Sequence, residues 1–209
     1  MFVVKGNKTT KIEGSEISRL LEGFEKVVVD LGTGDGRFVY KNALKNPKIF
    51  YIGIDPSETQ LKISARDTQR KRLNNILLIV GSIEHLPEGL EDVANEIYVN
   101  FPWGSLLETF AKPIKDNLNN LTKILKKDGI IKIIFGYDES LEPSETQRME
   151  LPTIDLNYIK DVLVSKYAEI GLKITEFGVF DRKSQKVETS WYKKLKSNRI
   201  WFYCVIQSI

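Results

Sequence analysis

The run Val27-Val28-Val29-Asp30-Leu31-Gly32-Thr33-Gly34-Asp35-Gly36 constrains this chain of 209 residues more than any other. Three successive β-branched residues read as a buried strand, and a glycine-rich turn leading into Phe38-Val39-Tyr40 reads as the entry to a helix. Strand, glycine turn and helix together make the opening unit of a parallel α/β sheet. The rest of the chain keeps that alternation. Phe50 to Asp55 is a second buried strand, followed by a helix from Ser57, which can cap it, to about Arg72. Ile76 to Val80, Glu96 to Phe101 and Ile130 to Phe135 are the next strands. A long helix from Ser105 to Lys127, interrupted or kinked near Pro113 and closed by Asp128-Gly129, joins the last two of these. A helix from about Asp155 to Ile170 and a strand from Ile174 to Val179 follow. The final strand, Ile200 to Ile206, is apolar enough to be buried on both faces. The expectation is one α/β domain over residues 1–209, a doubly wound, mostly parallel seven-stranded sheet. Two short strands around Gly6-Asn7 form a β-hairpin extension over 1–14, and a helix from about Ser15 to Gly23 comes before the sheet proper.

Several chemistries are excluded by scarcity. The chain has one cysteine, Cys204, and one histidine, His85. Zinc hydrolases, Cys-His pairs and Ser-His-Asp triads need partners that are missing, so no metal is expected and the chemistry is borrowed from a cofactor or a substrate. No apolar run is long enough for a membrane span, and Met1 to Gly6 lacks the features of a secretory signal; a cytoplasmic, monomeric protein is expected. The net charge is only +3, but the basic residues cluster. Lys62, Arg66, Arg70, Lys71 and Arg72 fall in the helix after Ser57. Arg182, Lys183, Lys186, Lys193, Lys194, Lys196 and Arg199 fall near the C-terminus, whereas Asp138 to Glu150 is acidic. Solvated helix faces account for any one cluster; together they suggest a basic surface and a polyanionic partner.

The glycine loop selects among ligands by its spacing. A dinucleotide fingerprint, Gly-x-Gly-x-x-Gly, would need glycine at Arg37; the spacing here is Gly-x-Gly-x-Gly. Asp30, two residues before Gly32, is a poor neighbour for a pyrophosphate and a good one for a ligand bearing a sulfonium and an ammonium. Asp55, ending the second strand, is placed to accept from two ribose hydroxyls, although a carboxylate there can equally cap the next helix. After the third strand, Ile83 offers an apolar contact for adenine and Glu84 an acceptor for its amine. These residues point to S-adenosyl-L-methionine. Asn100-Phe101-Pro102-Trp103-Gly104-Ser105 ends the fourth strand and opens the following helix, beside the expected methyl group. Trp103 there, and Trp191 in the basic loop before the last strand, can clamp one nucleobase between them. Packing at the rim of the core is the alternative for either tryptophan.

The combination of Asp30-Leu31-Gly32-Thr33-Gly34-Asp35-Gly36-Arg37, Tyr51-Ile52-Gly53-Ile54-Asp55-Pro56, Phe101-Pro102-Trp103-Gly104-Ser105-Leu106-Leu107-Glu108 and Ser190-Trp191 resembles the aminoglycoside-resistance methyltransferases of the Kam/Npm type, which modify 16S rRNA at N1 of adenine 1408. The resemblance extends over nearly the whole chain, including Val4-Lys5-Gly6-Asn7-Lys8. It implies a Rossmann-like class I methyltransferase whose partner is 16S rRNA within the assembled 30S subunit. Trp103 and Trp191 would sandwich the flipped adenine, while Asp30, Gly32, Asp55, Glu84 and Ser105 would line the cofactor pocket; Gly34, Ile83 and Asn100 stand beside them as further cofactor candidates. It also implies that Arg66, Arg70, Lys71, Arg148, Lys194 and Arg199 touch rRNA; Lys62 and Lys193 belong to the same basic clusters. The rivals are a tRNA guanine-N7 methyltransferase, which carries a longer Phe-Pro-Asp-Pro-Trp loop, an exocyclic-amine methyltransferase, and a noncatalytic RNA-binding protein that retains the fold.

Overall fold

The apolar runs do line up as strands. The computed structural model describes residues 1–138, 140, 143–181, 187, 189 and 199–209. In chain order the elements are β1 (Phe2–Lys5), β2 (Lys8–Lys11), α1 (Gly14–Leu21), β3 (Lys26–Leu31), α2 (Arg37–Lys45), β4 (Ile49–Asp55), α3 (Glu58–Lys71), β5 (Ile76–Val80), β6 (Ala94–Asn100), α4 (Gly104–Ala111), α5 (Lys115–Ile124), β7 (Leu125–Phe135), α6 (Pro143–Met149), α7 (Leu156–Tyr158), a π-helical turn (Ile159–Leu163), α8 (Val164–Ala168), β8 (Leu172–Val179) and β9 (Phe202–Ser208). The sheet order is β2-β1-β5-β4-β3-β6-β7-β9-β8. β5, β4, β3, β6 and β7 are mutually parallel, whereas β9 runs antiparallel between β7 and β8. The seven strands expected are therefore present. The hairpin is not a free appendage: β1 pairs antiparallel with β5 and makes the sheet nine-stranded.

The period of two along each strand decides what covers it. Val27, Val29 and Leu31 of β3 pack into the larger core, with Ile17 of α1, Leu107 and Phe110 of α4, Leu118 of α5 and Leu163. Val28 points to the other face, where Val39 and Ala43 of α2 and Leu61 and Ala65 of α3 cover it. Two helical layers on one sheet make its central strands apolar throughout.

Two expectations need correction. The helix expected over Ser105 to Lys127 is interrupted at Lys112–Ile114, where Pro113 placed a break, giving α4 and α5, but it ends at Ile124 and does not reach Asp128-Gly129. Buried Leu125 already pairs with Ala94 of β6, and the register then shifts before Ile130 pairs with Glu96, so Asp128 (φ 65°) and Gly129 form an irregularity inside β7. Burial of a strand position outweighs helix propensity there. The last strand starts at Phe202 and alternates: Phe202, Cys204 and Ile206 are buried while Tyr203 and Val205 are half-exposed. Its second face is polar, since the Tyr203 hydroxyl donates to Glu176 at 2.9 Å, and on β6 and β7 Lys132 pairs with Glu96 at 3.3 Å.

Candidate active site

Parallel pairing brings the carboxyl ends of β3, β4, β5 and β6 to one edge, because Leu31 is opposite Ile54, Asp55 opposite Val80, and Asp30 opposite Tyr98. The glycine turn leaves from that edge. Gly32, Gly34 and Gly36 all have positive φ (73°, 59° and 71°), a region that side chains strain to enter. A Cβ on Gly32 would come within 2.7 Å of the Leu106 side chain, whereas one on Gly34 would meet nothing within 4 Å. The turn is held from the neighbouring strand: the Gly32 and Thr33 N–H groups donate to the Ile54 carbonyl at 2.9 and 3.1 Å.

Asp55 completes that attachment. One carboxylate oxygen accepts from the Gly34 N–H at 2.8 Å and the other from the Ser57 N–H at 2.9 Å. Burial raises its pKa and these two backbone bonds pull it back. Asp55 thus anchors the turn and the start of α3, the capping role that its position allowed, and each oxygen keeps a lone pair free for a ligand. Asp30 lies deeper, only 2 % exposed, with Oδ1 accepting from the Asn100 amide at 3.1 Å. Burial pushes its carboxyl up to about 7; the side chains of Thr33 and Asn100 offset part of that, and the Asp55 and Asp35 carboxylates add to it.

The cleft above this floor is lined by Leu31, Gly32, Gly34, Asp55, Pro56, Gly81, Ser82, Ile83, Glu84, Phe101, Pro102, Trp103, Ser105 and Leu106. Six of the eight cofactor candidates therefore share one wall system, while Asp30 and Asn100 sit bonded together beneath it. Pro56, Ser82, Phe101, Pro102 and Leu106 were not assigned to the cofactor from the sequence, although all but Ser82 stand within the motifs that carry the resemblance. Burial opposes ionisation of Glu84, yet the hydroxyls of Ser105 and Ser82 outweigh it and its pKa is lowered. That contact ties the loop after β5 to the loop after β6.

Trp103 stands on the lip of the cleft, 39 % exposed, at the residue before α4. Its direction is set two residues earlier. Phe101 has φ 55°, unusual for an aromatic residue, and its ring packs edge-on against Trp201 (4.9 Å between centroids) and Phe180 (6.1 Å). The N–H of Phe101 still donates to Ile134 of β7 at 2.8 Å, so the chain turns away from the sheet immediately after it. Trp201 is buried, as its apolar neighbours suggested. Trp191, Lys193 and Lys194 lie outside the described residues.

The family model of NpmA, described as 16S rRNA (adenine(1408)-N(1))-methyltransferase, matches residues 2–208. The chain belongs to the NpmA family. A relative named 16S rRNA (adenine(1408)-N(1))-methyltransferase from Escherichia coli is 32 % identical over 205 residues, covering 95 % of this chain and 94 % of the relative. The crystal structure of a 30S ribosomal A1408 methyltransferase from an uncultured bacterium superposes with a TM-score of 0.81 at 35 % identity, with both chains covered in full. A 16S rRNA (adenine(1408)-N(1))-methyltransferase with cosubstrate SAM from Catenulisporales acidiphilia gives a TM-score of 0.88 at 25 % identity, covering 100 % of this chain and 97 % of that one.

The methyl donor of this NpmA-family enzyme is S-adenosylmethionine, and the cleft fits it. Among the described residues the lining carries two carboxylates and no lysine or arginine, which suits a cationic ligand and not a pyrophosphate. The glycine at position 34 leaves open the volume that a side chain would fill. Four candidate RNA contacts share α3: Lys62 pairs with Glu58 at 2.6 Å, the Arg66 Nε donates to the Lys62 carbonyl at 3.2 Å, Arg70 pairs with Asp67, and Lys71 is exposed. Arg148 is exposed on α6. Arg199 is half-buried, its guanidinium 5.2 Å from the centre of the Trp201 ring. The NpmA-family chain has no helix, among its described residues, long and apolar enough to cross a membrane.

Proposed function

We propose that the protein methylates N1 of adenine 1408 in the 16S rRNA of the assembled 30S subunit, as a single-domain monomer, and that aminoglycoside resistance is the phenotype. The observation that carries this reading is Trp103, an exposed aromatic on the lip of a carboxylate-lined cleft. Such a ring offers a stacking surface to a base taken out of its helix, worth about 1 to 3 kcal/mol. Trp191 is assigned the opposite face of the base.

S-adenosylmethionine, when bound, supplies a methyl group on a positively charged sulfur. Asp55 accepts from the ribose hydroxyls with the lone pairs that Gly34 and Ser57 leave free. Asp30, ionised, places a negative charge under the glycine turn that favours the cationic part of the ligand. Ile83 and Glu84 hold the adenine end, and Ser105 keeps Glu84 in place. Adenine N1 carries an in-plane lone pair that is unprotonated near neutral pH, so the chain has no proton to remove before attack. The loop Asn100 to Ser105 accordingly works by orientation alone. Basic residues on α3, with Arg148, Lys193, Lys194 and Arg199, dock the folded rRNA by its backbone.

Purified protein, labelled S-adenosylmethionine and 30S subunits test this directly. The expected result is incorporation into 16S rRNA with a primer-extension stop at adenine 1408. Label in tRNA and none in 30S subunits would overturn it in favour of guanine-N7 chemistry.

A further inference from the structure

The hairpin β1–β2 carries Lys5, Lys8 and Lys11, all exposed, and among the described residues none of the three has an acidic partner. Lys5 and Lys8 are direct cross-strand partners either side of the Gly6-Asn7 turn. Like charges opposed in an antiparallel pair cost stability, so their presence asks for a compensating use. The hairpin also does not stand alone. A Cβ on Gly6 would collide with the Gln69 side chain, and Lys5, Gly6, Ala65, Thr68 and Gln69 line one hollow between β1 and α3. The turn therefore sits against the stretch of α3 that presents Arg66, Arg70, Lys71 and Arg72. At the other end of the hairpin, Lys11 faces Phe2, which pairs with Val80 at the cleft end of β5. The two acids of α3, Glu58 and Asp67, are already paired with Lys62 and Arg70.

We propose that the hairpin is a phosphate contact: Lys5, Lys8 and Lys11 carry the basic face of α3 around the edge of the sheet, forming one surface that takes the sugar-phosphate backbone of the folded RNA. The surface follows α3, roughly 20 Å long at about 1.5 Å per residue, from the cleft end of the sheet to the opposite end. Being made of flexible point charges on a regular hairpin, it reads shape and charge, not sequence. The proposal rests on the rRNA reading above. Its physical rival is that lysines on β2, the outermost strand, only prevent edge-to-edge pairing of two sheets.

The test compares the full-length protein, Lys5→Gln/Lys8→Gln/Lys11→Gln, and a control of equal charge loss, Lys160→Gln/Lys166→Gln/Lys173→Gln. Binding to 30S subunits is measured at several salt concentrations, with S-adenosylmethionine affinity and sedimentation as checks. The expected result is a hairpin variant that stays monomeric and binds the cofactor normally. Its plot of log affinity against log salt should be shallower by about 1 for each lysine that meets a phosphate, two to three in all, with the control unchanged. An unchanged slope, whether or not the variant self-associates, overturns the proposal. Wild-type protein that binds no 30S subunit overturns the rRNA reading and this proposal together.

Discussion

The two walls of the cleft are built by different physics. On the β3–β4 side, charge and backbone are bound to each other before any ligand arrives: Asp55 accepts from Gly34 and Ser57, Asn100 donates to Asp30, and Gly32 and Thr33 donate to Ile54. On the β6 side the working group is a tryptophan with 39 % of its surface in water, aimed by a strained Phe101 whose ring is clamped between Phe180 and Trp201. Backbone strain of this kind costs about 1 to 3 kcal/mol and persists only where packing holds it. The first wall is preorganised for a small ligand of fixed shape. The second presents apolar area that gains only when a flat partner covers it.

Separate loss of the two functions is the strongest way to break that contrast. Trp103→Ala should lower kcat/KM for 30S methylation on the order of 100-fold, the upper part of the range for one lost base stack, while calorimetry shows S-adenosylmethionine affinity unchanged. Trp103→Phe should recover part of the loss. A variant that loses cofactor binding as well would mean that the lip supports the floor. Asp55→Ala should do the reverse, weakening S-adenosylmethionine by about 30-fold, since a charged acceptor is worth about 2 kcal/mol. It should also lower Tm, because the Gly34 and Ser57 N–H groups lose their acceptor.

What could be read from the sequence divides along the same line. The β3–β4 wall is local: Asp30, Gly32, Gly34 and Asp55 lie at strand ends or in the turn between, and period-two burial with glycine spacing places them without knowledge of distant contacts. The capping of α3 by Ser57 is local in the same way. The lip depends on residues far apart in the chain. Phe101 is aimed by Phe180 and Trp201, and no spacing rule links those three positions. The end of α5 was likewise decided by pairing of Leu125 with Ala94, a contact invisible to helix periodicity. The position of the hairpin, as two strands added to the β5 edge, also depends on a long-range pairing that neither strand announces.

Asp30 sharpens the comparison by pH. Its folded carboxyl is pushed up to about 7 from an ordinary value of 3.8, so between about pH 4 and pH 7 the folded state holds a proton that the unfolded chain has released. Its contribution to stability is therefore full below pH 4 and is lost as pH rises through 7. Cofactor affinity has the opposite sign, because a cationic ligand prefers the ionised carboxylate. If binding lowers that pKa well below 6, S-adenosylmethionine affinity should rise about ten-fold between pH 6 and pH 8. Asp30→Asn should flatten this profile and should unfold at higher temperature than wild type at pH 8. A wild-type affinity independent of pH in that range would place the negative charge elsewhere.

The smallest effect expected lies at the far end of α4, the helix that begins beside Trp103. Its last carbonyls lack partners within the helix; the Tyr158 hydroxyl donates to Ala111 at 2.9 Å, and the buried Tyr167 hydroxyl to Phe110 at 3.1 Å. Lys112, next in the chain, reaches the Met149 carbonyl at 2.7 Å. Ala111 is fully buried, so Tyr158→Phe leaves its carbonyl without that donor and should cost about 1 kcal/mol, or about 2 to 4 °C in Tm. If helix α4 transmits no more than rigidity to its first turn, methylation should fall by less than about 3-fold and cofactor affinity not at all. A loss comparable to that of Trp103→Ala, with cofactor affinity kept, would show that this hydroxyl sets the tilt of the whole helix and hence the angle at which the ring meets the base.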